Sequence, residues 1–289
     1  MADARSFRKG LLLALVSAVA YGAMPILGKL AYAAGVRPWT LLAWRFGLAL
    51  AVLGWLDRRM PGLPWPVRRR LWVVGACFSC NALAYFAALE RVPASTLALL
   101  VYTYPVLVTL LSAGLGLEPL TLRGLTAAGL AFAGSGLTLG ALPASAPAYG
   151  TVLSLLCAVF YSIYIVLSGR VAASVPSEAV ARHVAQASFA LYLPLALARG
   201  EWRLPPSAAA WLATLGLGLL STVVALRAFL GAVRHLGPSR AAVASSLEMV
   251  MTLILAVAVL GERIGLYQFL GALLIVGAVA FQSLGRRRL

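Results

Sequence analysis

Acidic residues are scarce in this chain. In 289 residues there are eight, against 24 lysines and arginines, and the only two aspartates are Asp3, near the start, and Asp57, in an expected loop. A membrane enzyme that works on phosphate through Mg²⁺ needs clustered carboxylates, and here they are scattered, which argues against that class. Histidine is as rare, with only His183 and His235. Cys77 and Cys80 have the C-x-x-C spacing of metal and redox sites, but structural zinc needs about four ligands. These two and Cys157 lie inside apolar runs and read as small packing residues. No G-x-x-x-x-G-K-S/T sequence occurs, so the chain does not hydrolyse nucleotides through a P-loop. No cofactor is expected.

Charge as a whole is scarce too: 11% of residues are charged and 62% hydrophobic, with a mean hydropathy of +0.93. A soluble chain of this length cannot hide that much apolar surface in one core; a lipid-facing exterior removes the need. The net charge of +16 does not mark nucleic-acid binding, because the basic residues form short clusters between apolar runs. The start, Arg5 to Lys9 before an apolar run, imitates a secretory signal, but the run continues past Ala34 and reads as a retained first helix.

A spanning helix needs about 20 mostly apolar residues. The expected spans are 10–33, 38–56, 70–89, 95–115, 121–141, 149–169, 178–198, 208–233, 239–260 and 265–284, separated by glycine and proline breakers such as Pro61, Pro93, Pro119, Pro143, Pro176 and Gly237-Pro238. Spanning β-strands are about 10 residues of alternating polarity, unlike these runs. With the N-terminus in the cytoplasm, sixteen of the 24 basic residues fall on the cytoplasmic side and five outside, as the positive-inside rule asks. The expected location is the inner (plasma) membrane, multi-pass, with both termini cytoplasmic.

The chain also repeats itself. Gly10, Ala18 and Tyr21 match Gly150, Ala158 and Tyr161 in spacing; Arg91-Val-Pro93-Ala-Ser95 resembles Arg234-His-Leu-Gly-Pro238-Ser239; and Leu117-Glu118 answers Gly261-Glu262. The expected units are 1–144 and 145–289. Five helices is an odd number, so the second unit inserts upside down relative to the first. Inverted repeats of this kind are a transporter architecture, with the site near the midplane.

The end of the second unit, Leu236-Gly-Pro-Ser-Arg-Ala-Ala-Val-Ala-Ser-Ser-Leu-Glu248, with Leu260-Gly-Glu262-Arg263 and Gln268-Phe-Leu-Gly271, resembles the EamA family of the drug/metabolite transporter superfamily. A looser copy stands in the first unit: Val92-Pro-Ala-Ser-Thr, Tyr104-Pro105 and Leu117-Glu118-Pro119. The resemblance implies ten helices, cytoplasmic termini and export of amino acids or other small metabolites. The family often has proline directly after the mid-helix glutamate; Met249 stands there instead, which puts the kink that proline implies in question.

Polar residues within spans are costly and mark the candidate site. Glu248 lies near mid-depth in the ninth span, where an acid costs on the order of 2.5–3.5 kcal/mol. It either binds a substrate amine or carries a coupling proton, or it is ion-paired with Arg45 or Arg227 and holds the protein together. Ser245 shares its face. Arg45 is either a paired structural charge or the receptor of a substrate carboxylate. Lys29 and Arg227 are read as snorkelling to the surface. Ser17, Tyr21, Met24 and Gly28 form a stripe in the first helix that Cys157, Tyr161, Tyr164 and Ser168 repeat in the sixth; it is a packing face or part of the cavity lining. Asn81 with Tyr85, and Tyr102 with Thr109, share faces in the third and fourth helices. Pro105 should kink the fourth, a place for gating. His183 and Gln186 read as a packed pair. The leading expectation is a secondary carrier, coupled to protons or working by exchange, with an amino acid or similar metabolite as substrate. A polytopic enzyme without an obvious metal site, a channel and an accessory subunit are the alternatives. Homodimerisation is left open.

Overall fold

The computed structural model describes residues 2–60, 62–89, 91–92, 94–139, 147–172, 174–260 and 264–284; Pro93, Pro143, Gly261 to Arg263 and the terminal arginines lie outside them. Ten helical spans follow the expected order with ends within about five residues of the expected ones, except that span 1 begins at Ala2, eight residues early, because Arg5 to Lys9 are carried on the helix. Span 1 is Ala2–Gly22 and Met24–Ala33, span 2 Pro38–Leu56, span 3 Trp65–Leu89, span 4 Ala94–Val101 and Tyr104–Gly114, and span 5 Leu122–Leu139. Span 6 is Ala148–Val171 and span 7 Ser177–Ala198. Span 8 runs through Ala208–Gly218, a π-helical turn Leu219–Val224, and Ala225–Leu236; span 9 is Pro238–Ser245 and Leu247–Leu260; span 10 is Leu266–Leu284. Among the described residues, seven spans are long and apolar enough to cross a membrane alone. Spans 3, 5 and 7 are the remainder: they carry polar residues such as Arg68 to Arg70, Ser135, Arg182 and His183, and each packs along an apolar partner.

Packing follows a pseudo-two-fold exchange of span n with span n+5. Span 1 packs on 8 as 6 packs on 3; span 2 on 8 as 7 on 3; span 9 on 1 as 4 on 6; and 2 with 7, and 5 with 10, pair across the axis. The two repeats are therefore not two separate bundles. Spans 1, 2, 8 and 9 form one bundle and spans 6, 7, 3 and 4 the other, each drawing on both halves of the sequence.

Small residues set the closest approaches, as expected where lipid offers no hydrophobic drive between helices. At the crossing of spans 5 and 10, a Cβ on Gly134 would lie 2.8 Å from the Gly271 carbonyl oxygen, and one on Gly271 would lie 2.5 Å from that of Gly134. Gly271→Val should therefore lower the apparent melting temperature of the purified protein markedly. Gly277→Val, one and a half turns along the same helix with nothing within 4 Å, should leave it within a degree or two. Equal effects would refute the crossing.

Three spans are interrupted, each for a local reason. In spans 1 and 4, Pro25 and Pro105 sit in the first turn of the second segment and withhold the backbone donor that continuity needs. Span 9 has no such proline, yet it breaks at Ser246. The Tyr104 phenol of span 4 donates to the Ala242 carbonyl at 3.2 Å, the acceptor the Ser246 N–H would use in a continuous helix. That N–H turns to Val243 at 3.1 Å, and Met249 N–H to Ser246 at 3.1 Å. A side chain from the neighbouring span replaces the missing proline.

Candidate functional site

The interruptions of spans 1, 4 and 9 fall within the spans, away from both ends. Gly22, just before the break in span 1, lies against span 9, where the Thr252 hydroxyl donates to the Gly22 carbonyl at 3.2 Å and to that of Glu248 at 3.0 Å. This contact holds Glu248 in the first turn of Leu247–Leu260. Within electrostatic reach of its carboxylate are Arg45 and the phenols of Tyr21, Tyr85, Tyr102, Tyr104 and Tyr161. The structure thus gathers Tyr21, Arg45, Tyr85, Tyr102, Tyr161, Ser245 and Glu248 into one region, drawn from both bundles.

Neither expected ion pair to Glu248 forms among the described residues. Arg227 lies 3.5 Å from Asp57 and 3.6 Å from Glu178, so it joins the interior of span 8 to the end of span 2 and the start of span 7 and does not snorkel. Arg45, 8% exposed, donates from Nε to Thr222 Oγ1 at 2.6 Å, from Nη2 to the Ser221 carbonyl at 3.0 Å, and from Nη1 to Met24 Sδ at 3.1 Å. The first two acceptors belong to the π-helical turn of span 8. Thr222 passes its own proton to the Leu217 carbonyl at 2.9 Å, and Ser221 ties the turn to Ala20 of span 1 at 2.7 Å. Arg45 is thus the side chain that satisfies the irregular backbone of span 8. Its weakest bond goes to the Met24 thioether, a poor acceptor, and that donor is the one a ligand would take most easily.

The aromatic residues form a continuous chain of rings. Tyr102 is 5.9 Å from Tyr104, which meets Tyr161 edge-on at 4.8 Å; Tyr161 stacks on Tyr164 at 5.9 Å; and Tyr164 sits between Phe229 at 6.1 Å and Phe78 at 5.0 Å. Tyr164 is fully buried and belongs to the core, whereas Tyr102, Tyr161 and Tyr85 are partly buried. Asn81 uses its amide to bind the Cys157 carbonyl at 2.9 Å and Sγ at 3.0 Å, tying span 3 to span 6. Thr109 turns to the Pro105 carbonyl of its own helix at 2.8 Å. His183 packs in its helix with Nδ1 2.8 Å from the Ala179 carbonyl.

Sequence reasoning missed Tyr104, Ser246, Ser221 and Thr222. Tyr104 was detectable as the second tyrosine of Tyr102-Thr-Tyr-Pro105, and Ser246 as the second of a serine pair in an apolar run. Ser245 and Ser246 are buried, and both hydroxyls lie beside that of Tyr104, within reach of a hydrogen bond to it.

The EamA-like transporter family matches residues 8–140 and again 148–284. The chain is 31% identical over 266 residues to an aromatic amino acid exporter, YddG, of Ancylobacter novellus, covering 86% of this chain and 88% of that one. It is 29% identical over 284 residues to an uncharacterized transporter, YcbK, of Bacillus subtilis, covering 92% and 90%. A protein of known crystal structure, 27% identical, superposes with a TM-score of 0.82 over 96% of this chain and 99% of that one.

Proposed function

As the chain belongs to the EamA-like transporter family, and so is a multi-pass membrane transporter and not an enzyme, we propose that it exports amino acids or related small metabolites by alternating access. The observation that carries this reading is Glu248: a carboxylate at mid-membrane, without an ion pair among the described residues, set at a helix break amid tyrosines from both bundles. A charge placed so is expensive and is retained for a ligand or a proton. In this reading Glu248 takes the substrate ammonium or a coupling proton. Tyr21, Tyr85, Tyr102 and Tyr161 line the path, and Arg45 offers its remaining N–H groups to a carboxylate while holding span 8. Ser245 lies at the pocket's edge and Pro105 at its hinge. Asn81 and Tyr164 support the wall.

Partly buried tyrosine faces suit a substrate that combines an amine with an apolar or aromatic body, and the relative named as an aromatic amino acid exporter points the same way. Basic residues concentrated at the face bearing the termini support a cytoplasmic orientation of that face. Residues 1–144 and 145–289 are the two inverted repeats in this account. The test is counterflow in proteoliposomes loaded with single amino acids. Unlabelled phenylalanine, tyrosine or tryptophan inside should draw in its labelled form well above empty vesicles. No counterflow with any amino acid, amine or nucleoside would overturn the reading.

A further inference from the structure

The pseudo-two-fold exchange gives every contact between the bundles a mate on the opposite face, and the two faces differ. On the face that bears the termini, Tyr104–Gly114 of span 4 packs on Pro238–Ser245 of span 9; the Ala225–Leu236 end of span 8 packs on span 7; and Pro238–Ser245 reaches span 6. The mates would be Ala94–Val101 with Leu247–Leu260, span 3 with span 2, and Ala94–Val101 with span 1. Among the described residues none of these pairs does more than touch. Among the described residues, the bundles are therefore closed at the termini face and parted at the other.

At the closed face one side chain bridges them. Glu118, in the turn after span 4, reaches the start of span 9, where its Oε2 accepts the Ser239 backbone N–H at 3.0 Å and also the Ser239 hydroxyl. A carboxylate on the first N–H groups of a helix is held by both hydrogen bonds and the helix dipole. Gly237 is shaped for it: its φ is +86° and the position a Cβ would take is filled by Glu118 Oε1. The two sides of this contact belong to different bundles, and a cavity of about 330 Å³ bounded by Glu118, Gly169, Val233, Arg234 and Pro238 opens beside it.

We propose that Glu118 is a catch that holds the termini face shut by gripping the start of span 9, and must let go for that face to open. The inference rests on the transport reading above.

The test is thiol labelling with a membrane-impermeant reagent in sealed vesicles that expose the termini face, read by mass spectrometry at position 242 in an Ala242→Cys background. Ala242 is fully buried beneath the catch. Glu118→Ala should raise the labelling rate at least tenfold. Ser239→Ala, which keeps the backbone N–H, should raise it less. A rate within twofold of the parent in Glu118→Ala, in protein that elutes and melts normally, overturns the proposal. Should Glu118→Ala fail to fold, Glu118→Gln and Ser239→Ala decide by the same criterion. Labelling needs no substrate. A shift without any counterflow refutes the transport reading and leaves the catch standing; counterflow without a shift does the reverse.

Discussion

Glu248→Gln should leave the protein folded and remove its response to substrate. Glutamine has the same shape and can accept from the same neighbours, but it carries no charge to bind an ammonium or release a proton. The carboxylate has no ion-pair partner among the described residues, so nothing is orphaned by neutralising it. Removing a charge that costs on the order of 2.5–3.5 kcal/mol at mid-membrane should hold or raise the melting temperature. A hydrogen bond to a charged group contributes about 1.5–3 kcal/mol, which is roughly a 10- to 150-fold loss of affinity when that charge goes. In a thermal-shift screen, the amino acid that stabilises the parent should have no effect on this variant at the same concentration, and counterflow should fall at least tenfold. A variant that is stabilised and transports as the parent does would remove Glu248 from the site.

Arg45→Ala should fail in the opposite manner, through stability. The guanidinium is buried and holds the Ser221 carbonyl and Thr222 hydroxyl of the π-helical turn. Leaving a buried polar group unpaired costs about 1–3 kcal/mol, and here two groups lose a charged partner at once. Melting should drop by more than in any other single-site variant considered, with the protein prone to aggregate in detergent. Arg45→Lys should recover only part, since one ammonium cannot serve both acceptors in the planar geometry of the fork. If Arg45 served only a substrate carboxylate, the parent and Arg45→Ala would melt alike without ligand and differ only in the ligand's effect. That outcome would contradict the account of span 8.

The spans were legible because lipid demands long apolar runs and proline and glycine punctuate them. Span 3 starts at Trp65, earlier than expected, because Arg68 to Arg70 are carried on helix at the membrane surface, where long basic side chains are tolerated. The mid-span charges and tyrosines were legible by their cost, and Glu248 with Tyr21, Tyr85, Tyr102 and Tyr161 do gather. What periodicity could not give was the neighbour of each residue. Arg227 reads as a snorkelling cation until Asp57 and Glu178, from two other spans, are seen beside it. The break in span 9 was illegible for the same reason: Met249 promises continuity, and the agent of the break, Tyr104, is far away in sequence. The π-helical turn leaves no mark in composition, since its stabilising partner is Arg45 of span 2.

The crossed bundles also have a consequence for biosynthesis. When the first five helices have entered the membrane, span 1 lacks spans 8 and 9, span 3 lacks 6 and 7, and span 5 lacks 10. The nascent half holds its glycine faces and mid-bilayer arginine towards lipid until translation of the second half is well advanced. Residues 1–144 expressed alone should be degraded, and co-expression with 145–289 should rescue both, measurable as steady-state levels of tagged fragments. A stop codon late in the gene should therefore be as damaging as an early one.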